Sequence, residues 1–440
     1  MRILVLGGYG FIGEAVMTAL HRAGHDLTGL GRDIARAERR MPFARWVKAD
    51  LRALQIIESW QPLLEDIDAV VNAAGALQDN PRDDLAAVQA GAMQALYAAA
   101  SAGAQPLIVQ ISANTAGAGA DTPFMATKRT ADEALKASGL PHVILRPALV
   151  VGRNAHGGTA LVRALAAFPW VTPLVHPDAH VETVVLDDAA SAVVAAVDGA
   201  YATGSDLDLA HAETWTLERL VARHRAWLGL KPARTMEVPT WLAALAARAA
   251  DLAGWFGWRS PLRSTAMTVT AGGISTSTHE SSNEAGESPS QPIAGKLLAS
   301  LDEVLSANPA GAQDVWFARL YLLKPVIVLA LALFWITSGA VALFHLTAST
   351  AYLSAAGFGG VTAIAVAWIT SLADLALGLA VLWRRLARPA LLGMIALSLA
   401  YLVSVTWFSV SLWLDPLGPI VKVLPSILLT MVALAILDER

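Results

Sequence analysis

No Asp, Glu, Lys or Arg occurs between Lys324 and Asp374, and only nine follow Lys324. A charge-free apolar run of that length would be insoluble as a surface, so it predicts membrane-spanning helices. Four stretches reach the roughly 20 residues that about 30 Å of hydrocarbon requires: 325–346, 360–383, 389–408 and 417–437. The connection between the second and third carries Arg384, Arg385 and Arg388, and basic connections stay cytoplasmic. Four crossings then predict a bacterial-type inner (cytoplasmic) membrane protein, multi-pass, with both termini and the preceding domain cytoplasmic. Asp374 lies well inside the second stretch, where a carboxylate is costly enough to point to a proton, a ligand or a polar partner. Lys422 differs from it in depth by roughly 15 Å at 1.5 Å per residue, and is expected to snorkel rather than pair with it.

Before Lys324 the pattern changes. Short apolar runs at 3–6, 26–30, 68–72, 107–112 and 142–146 alternate with helix-like stretches. Runs buried on both faces and separated by crossover lengths predict a parallel sheet covered by helices. The expected fold class is therefore α/β, a Rossmann-like doubly wound parallel sheet with a small substrate lobe, followed by a four-helix transmembrane bundle. The run after Met1-Arg2 is too short, and too soon broken by glycine, for a signal peptide.

The first run leads into Leu6-Gly7-Gly8-Tyr9-Gly10-Phe11-Ile12-Gly13. Gly7 permits a tight turn, Gly10 lets the backbone approach a pyrophosphate, and Gly13 lets the following helix pack on the strand. The helix N-terminus attracts the anion. Strand, glycines and helix in this order predict a dinucleotide site that includes Phe11 and Ile12. About 20 residues on, where an acidic side chain would accept from the adenosine ribose, stands Gly31. Arg32 beside it can hold a 2'-phosphate through a charge-assisted fork, which favours NADP over NAD. The alternative is that Arg32 only opens a solvated helix with Arg36, Arg39 and Arg40. Asp50, before Leu51, is either an acceptor for the adenine amino group or a helix N-cap.

Gly7, Gly10 and Gly13, Asp50-Leu51, Asn72-Ala73-Ala74-Gly75 and the run ending at Ser112 resemble the short-chain dehydrogenase/reductase superfamily. The resemblance is to its extended and atypical branches, among them NmrA-like sensors and the NAD(P)-binding accessory subunit of respiratory complex I. It implies cofactor contacts at Asp50, Leu51, Ala73, Ala74, Gly75 and Lys128, and catalytic roles for Ser112 and Lys128. The family's Tyr-x-x-x-Lys pair reads Phe124-Met125-Ala126-Thr127-Lys128 here. A phenyl ring has no proton to give to a developing alkoxide, whereas Lys128 keeps the ammonium that holds the nicotinamide ribose. Leu145-Arg146-Pro147 and 181–188 extend the resemblance, and 300–440 resembles DoxX-like membrane regions.

These readings divide the chain into a reductase-like domain at 1–265 with its lobe from about 148, a Ser/Thr/Glu-rich linker at 266–299, and a membrane domain at 300–440. Ser300 and Glu303 form a capping-box pattern for a short helix leading to the membrane. In 239–258, Trp241, Leu245, Leu252 and Phe256 share a helical face, suited either to lipid or to the lobe. A net charge of -4 without a Lys/Arg block excludes a nucleic-acid footprint. The absence of cysteine excludes disulfides and thiolate chemistry, and no metal-ligand spacing appears among the histidines. The expected partners are the lipid bilayer and either a hydrophobic small molecule or a membrane complex, with oligomeric state left open. Three functions remain: an oxidoreductase on a quinone or isoprenoid, a non-catalytic NADP(H)-binding sensor or assembly factor, and a transport or redox module centred on Asp374.

Overall fold

The computed structural model describes residues 1–75, 79, 84–115, 119–271, 273–274, 297–416, 418 and 420–438. Most of the 266–299 stretch lies outside the described residues. The chain forms two compact units, Met1–Leu252 with Ser260–Ala318, and Ala253–Arg259 with Arg319–Arg440.

The first unit opens with strand β1 (Arg2–Leu6), helix α1 (Phe11–Arg22), β2 (Asp26–Gly31), α2 (Ile34–Arg40), β3 (Arg45–Lys48), α3 (Ile57–Leu64) and β4 (Ala69–Asn72). After a π-helical stretch, Ala86–Gly91, come α4 (Ala92–Ala102), β5 (Leu107–Ile111), α5 (Pro123–Ala137) and β6 (His142–Pro147). Next come β7 (Leu149–Val151), α6 (Gly158–Ala166), β8 (Val171–Leu174), β9 (His180–Val185), α7 (Leu186–Val197), β10 (Ser205–Leu209), β11 (Thr214–Thr216), α8 (Leu217–Trp227) and β12 (Arg234–Glu237), of which α7 and β10 return to the main sheet and the rest build the lobe. The unit ends with α9 (Thr240–Trp255, its last turn in the second unit), α10 (Ser264–Ala271), α11 (Leu301–Ala307) and the first residues of α12 (Ala312–Phe344).

The main sheet is parallel throughout, in the order β10-β6-β5-β4-β1-β2-β3. Its strands read as continuous apolar runs because both faces are covered, one core holding Ile3, Val5, Val16 and Leu20 and the other Leu4, Leu6, Trp60 and Leu96. Each such side chain contributes about 1.5–3 kcal/mol on burial. The order reverses between β1 and β4, which opens a crevice beyond their carboxyl ends, the usual ligand position in such sheets. The boundary expected at 300 falls inside this unit: Leu301, Leu305 and Ala318 are buried in the lobe core with Val181, Trp215 and Leu220. The capping box of Ser300 and Glu303 forms, and the helix it starts is α11.

The second unit holds the rest of α12, α13 (Leu346–Ala355), α14 (Gly360–Ala380), α15 (Arg384–Phe408) and α16 (Val423–Ala435). Among the described residues three helices, α12, α14 and α15, are long and apolar enough to cross a membrane. The fourth expected span is corrected in length: α16 has 13 residues, about 20 Å at 1.5 Å each. A Cβ on Gly378 would meet the Ile336 nitrogen at 2.9 Å, and one on Gly339 the Leu375 nitrogen at 2.9 Å. Helices α12 and α14 therefore touch backbone to backbone, as small residues allow in bilayers.

Candidate functional site

The turn after β1 is shaped by glycine. Gly7 has φ +71, and a Cβ there would lie 2.8 Å from the Ala74 Cα and 3.0 Å from the Ala73 oxygen. This brings the first glycine turn against the loop after β4. A Cβ on Gly13 would collide with the Gly7 carbonyl, so α1 can pack this close to β1 only with glycine there. Gly10 donates to the Gly7 oxygen at 2.9 Å and caps α1 in an extended conformation. Phe11, Ile12 and Gly13 open the helix's first turn, where helical geometry supplies no intrahelical acceptor and the dipole is positive. Backbone that a side chain would fill, facing a helix N-terminus, fits a dinucleotide pyrophosphate.

At the end of β2, Gly31 leaves room for the Tyr9 ring, which a Cβ would strike. The Tyr9 hydroxyl accepts from the Arg32 amide at 3.2 Å. That packing was not legible from the glycine spacing alone. Of the other arginines, Arg40 is taken by Glu14 at 2.6 Å. The Asp50 carboxylate is committed to Arg52, with contacts of 2.6 to 3.2 Å from its guanidinium and 3.1 Å from its amide. The Arg52 hydrogen bonds hold the Asp50 carboxyl below its ordinary range, against a smaller burial effect. Its geometry is that of the cap of a short 3-10 turn, Leu51–Ala53, and Leu51 is core.

The second half of the site gathers around α5. Thr122 caps this helix and Pro123 starts it, which places Phe124, Lys128 and Asp132 at four-residue intervals, on one face. Lys128 is buried, and its ammonium donates to the Ile111 carbonyl at 2.8 Å. A Cβ on Gly75 would be 3.7 Å from that nitrogen, so the loop after β4 and Lys128 share one wall. Burial lowers the Lys128 pKa to about 8, with Asp132 opposing and Arg146 adding to the shift. Ser112, at the end of β5, donates to Asp132 Oδ2 at 2.6 Å. Burial pushes the Asp132 carboxyl up, against Ser112, Arg146 and Lys128. Phe124 is half-buried.

Arg146 was named only as part of a resembling segment, yet it organises this wall. It meets Asp132 at 3.0 Å, forks onto Asp206 at 2.7 and 3.0 Å, and donates to the Ala113 carbonyl at 2.6 Å. Although burial would raise the Asp206 carboxyl, hydrogen bonds from Arg146 and Lys136 leave it below its ordinary value. Asp132 and Asp206 escaped the sequence reading. Asp132 had a signal, one turn beyond Lys128, whereas Asp206 required the pairing of β10 with β6. Asn72 holds the neighbouring loop, accepting from the Ala74 amide at 3.0 Å and donating to Gln110 at 2.9 Å.

In the second unit, Asp374 is buried between three helices. Its carboxylate accepts from Ser338 of α12 at 2.9 Å and from Tyr401 of α15 at 2.8 Å. These are polar partners that the sequence reading could not name.

Residues 3–205 match the NAD dependent epimerase/dehydratase family, and residues 332–431 match the DoxX-like family. The chain is 32% identical over 292 residues to a Streptomyces protein named 3-diazoavenalumate denitrifying reductase, covering 58% of this chain and 88% of that one. Two solved structures share the fold, each with a TM-score of 0.51. One, from Burkholderia cenocepacia and described as an epimerase, is 19% identical and aligns over 72% of this chain and 98% of its own. The other, Pal from Bacillus thuringiensis, is 16% identical and aligns over 70% and 98%.

Proposed function

The chain belongs to the NAD-dependent epimerase/dehydratase family and continues into a DoxX-like membrane region, and on that premise we propose a membrane-anchored oxidoreductase that binds NADP(H). Its substrate is a hydrophobic, membrane-associated molecule such as a quinone or isoprenoid. The Streptomyces relative is named a reductase, which supports reduction over epimerisation. NADP is favoured over NAD because β2 ends without a carboxylate and Arg32 follows Gly31, offering a fork to a 2'-phosphate.

The dinucleotide, when bound, supplies the hydride. The first turn of α1 holds the pyrophosphate, and Gly75 and Lys128 hold the nicotinamide ribose. The observation that carries the reading is the 2.6 Å hydrogen bond from Ser112 to Asp132. It replaces what Phe124 lacks. With Asp132 protonated, the bond reverses: Asp132 donates to Ser112, and Ser112 passes its hydrogen to the reduced substrate. Arg146 then stabilises the carboxylate left on Asp132. Burial pushes the Asp132 carboxyl up, the direction that a proton donor needs.

Phe124 itself favours a second reading, a non-catalytic NADP(H)-binding sensor or assembly factor of a membrane complex. Calorimetric binding of NADPH and NADH, with turnover on a quinone panel, separates the two. The parent should bind NADPH more tightly and turn over. Gly10→Leu should abolish both, and Ser112→Ala should cut turnover on the order of 100-fold while leaving binding unchanged. Turnover that appears only in Phe124→Tyr would establish the second reading.

A further inference from the structure

Helix α9 buries one narrow stripe, Ala243, Ala247 and Gly254. The opposite side carries Trp241, Leu245, Leu252 and, just past the helix end, Phe256. At 3.6 residues per turn these four lie within about 60° of one another. They are exposed, Trp241 at 65%, Leu245 at 52% and Leu252 at 62%. A soluble helix keeps charge on such a face, and a contiguous exposed apolar strip marks an interaction surface. Arg248 stands exposed on its flank.

The continuation of the chain identifies what covers it. Residues Ala253–Arg259 belong to the membrane unit. The Phe256 carbonyl accepts from the Arg384 amide at 3.0 Å, and the Trp258 indole donates to the Leu382 carbonyl at 2.6 Å. Lys324 and Arg384 lie over the Trp258 ring at 5.9 and 5.7 Å. Leu382 lies between α14 and α15 and Arg384 opens α15, so this aromatic end is held at the end of the bundle where two candidate spanning helices meet. A helix standing away from the surface would carry Trp241 about 20 Å into water. The apolar strip runs the whole length instead, as an in-plane helix requires.

We propose that α9 lies in the headgroup region of the bilayer, with Trp241, Leu245, Leu252 and Phe256 turned toward the acyl chains and Arg248 toward lipid phosphates. It is a second lipid contact, independent of the spanning helices and of the activity proposed above.

Because the chain has no cysteine, Leu245→Cys, Leu252→Cys and a water-facing control, Glu58→Cys, each create a single labelling site. The full-length protein, one copy per phosphatidylcholine nanodisc, is labelled with an environment-sensitive fluorophore and quenched by lipid carrying a nitroxide high on its acyl chain. Labels at 245 and 252 should be blue-shifted and quenched at least about threefold more than at 58, since an interfacial helix sits about 5–10 Å into that layer. Equal quenching at all three sites overturns the proposal. A blue shift that appears only in discs holding two copies also overturns it, and assigns the face to a second chain. Circular dichroism matching the parent ensures that each outcome reports position rather than unfolding.

Discussion

Lys128 combines two demands, because the proposed role puts its ammonium at the ribose while the same group sits buried against the Ile111 carbonyl. Burial brings its pKa to about 8, opposed by Asp132 and aided by Arg146, where an ordinary lysine titrates near about 10.4. If the protonated form holds the cofactor, affinity is present below about 8 and is lost as pH rises through that value. Calorimetry from about pH 6.5 to about pH 9.5 should show NADPH affinity falling in the parent, and weak, level binding in Lys128→Met. A level parent curve refutes the role. Folding runs the other way: the folded state disfavours the charge, so the residue's cost to stability shrinks as pH rises from about 8 toward its unfolded value. The fall in affinity cannot then be attributed to this residue unfolding the domain. Lys128 and Ser112 were legible because short local patterns carry them. Arg146 and Asp206 were not, since only the pairing of β5, β6 and β10 brings residues from three runs of the chain to one wall.

Among the elements, α11 and the start of α12 show how far an apolar pattern constrains a structure. Leu298, Leu301 and Leu305 have the spacing of any amphipathic helix, equally suited to a membrane approach or to a core. The deciding groups lie far away in sequence. Asp314 accepts from Arg153 at 2.6 Å and from the Gly311 amide at 2.8 Å, with Arg163 at 3.8 Å. Arg163 is buried over the Trp227 ring at 4.7 Å, and Trp227 donates to the Asn308 carbonyl at 2.7 Å. Burial lowers the Arg163 pKa to about 10, against the pull of Asp314. Asp314→Ala should therefore leave a buried cation poorly compensated, costing about 2 kcal/mol. Amide hydrogen exchange across Leu301–Ala307 should quicken on the order of 30-fold if that segment opens locally. Unchanged exchange would show that apolar packing alone holds it. The βα alternation of the sheet was legible by contrast, because strands buried on both faces must read as unbroken apolar runs.

For the molecule as a whole, the question is whether the chain returns to the side from which it enters the membrane. Helix α16 rises about 20 Å, short of roughly 30 Å of hydrocarbon, and by length alone it would leave three crossings and opposed termini. The contacts at its end argue otherwise. The Leu437 carbonyl accepts from Lys324 and from Arg384, both at 3.1 Å, which brings the close of α16 to the end of the bundle where α15 begins and α12 carries its last lysine before the charge-free run. A fourth crossing by this short helix is therefore the expected arrangement. Arg384, Arg385 and Arg388 cluster at that same end, and by the basic-loop rule this end is expected on the cytoplasmic side. Single cysteines test the arrangement in intact cells with a membrane-impermeant maleimide. Ser354→Cys and Ser411→Cys should label from outside, whereas Arg388→Cys and Glu439→Cys should label only after the membrane is opened. Outside labelling at Glu439→Cys alone would leave α16 as a re-entrant hairpin partner and the termini on opposite sides. Outside labelling at Arg388→Cys would reverse the expected orientation of the whole bundle.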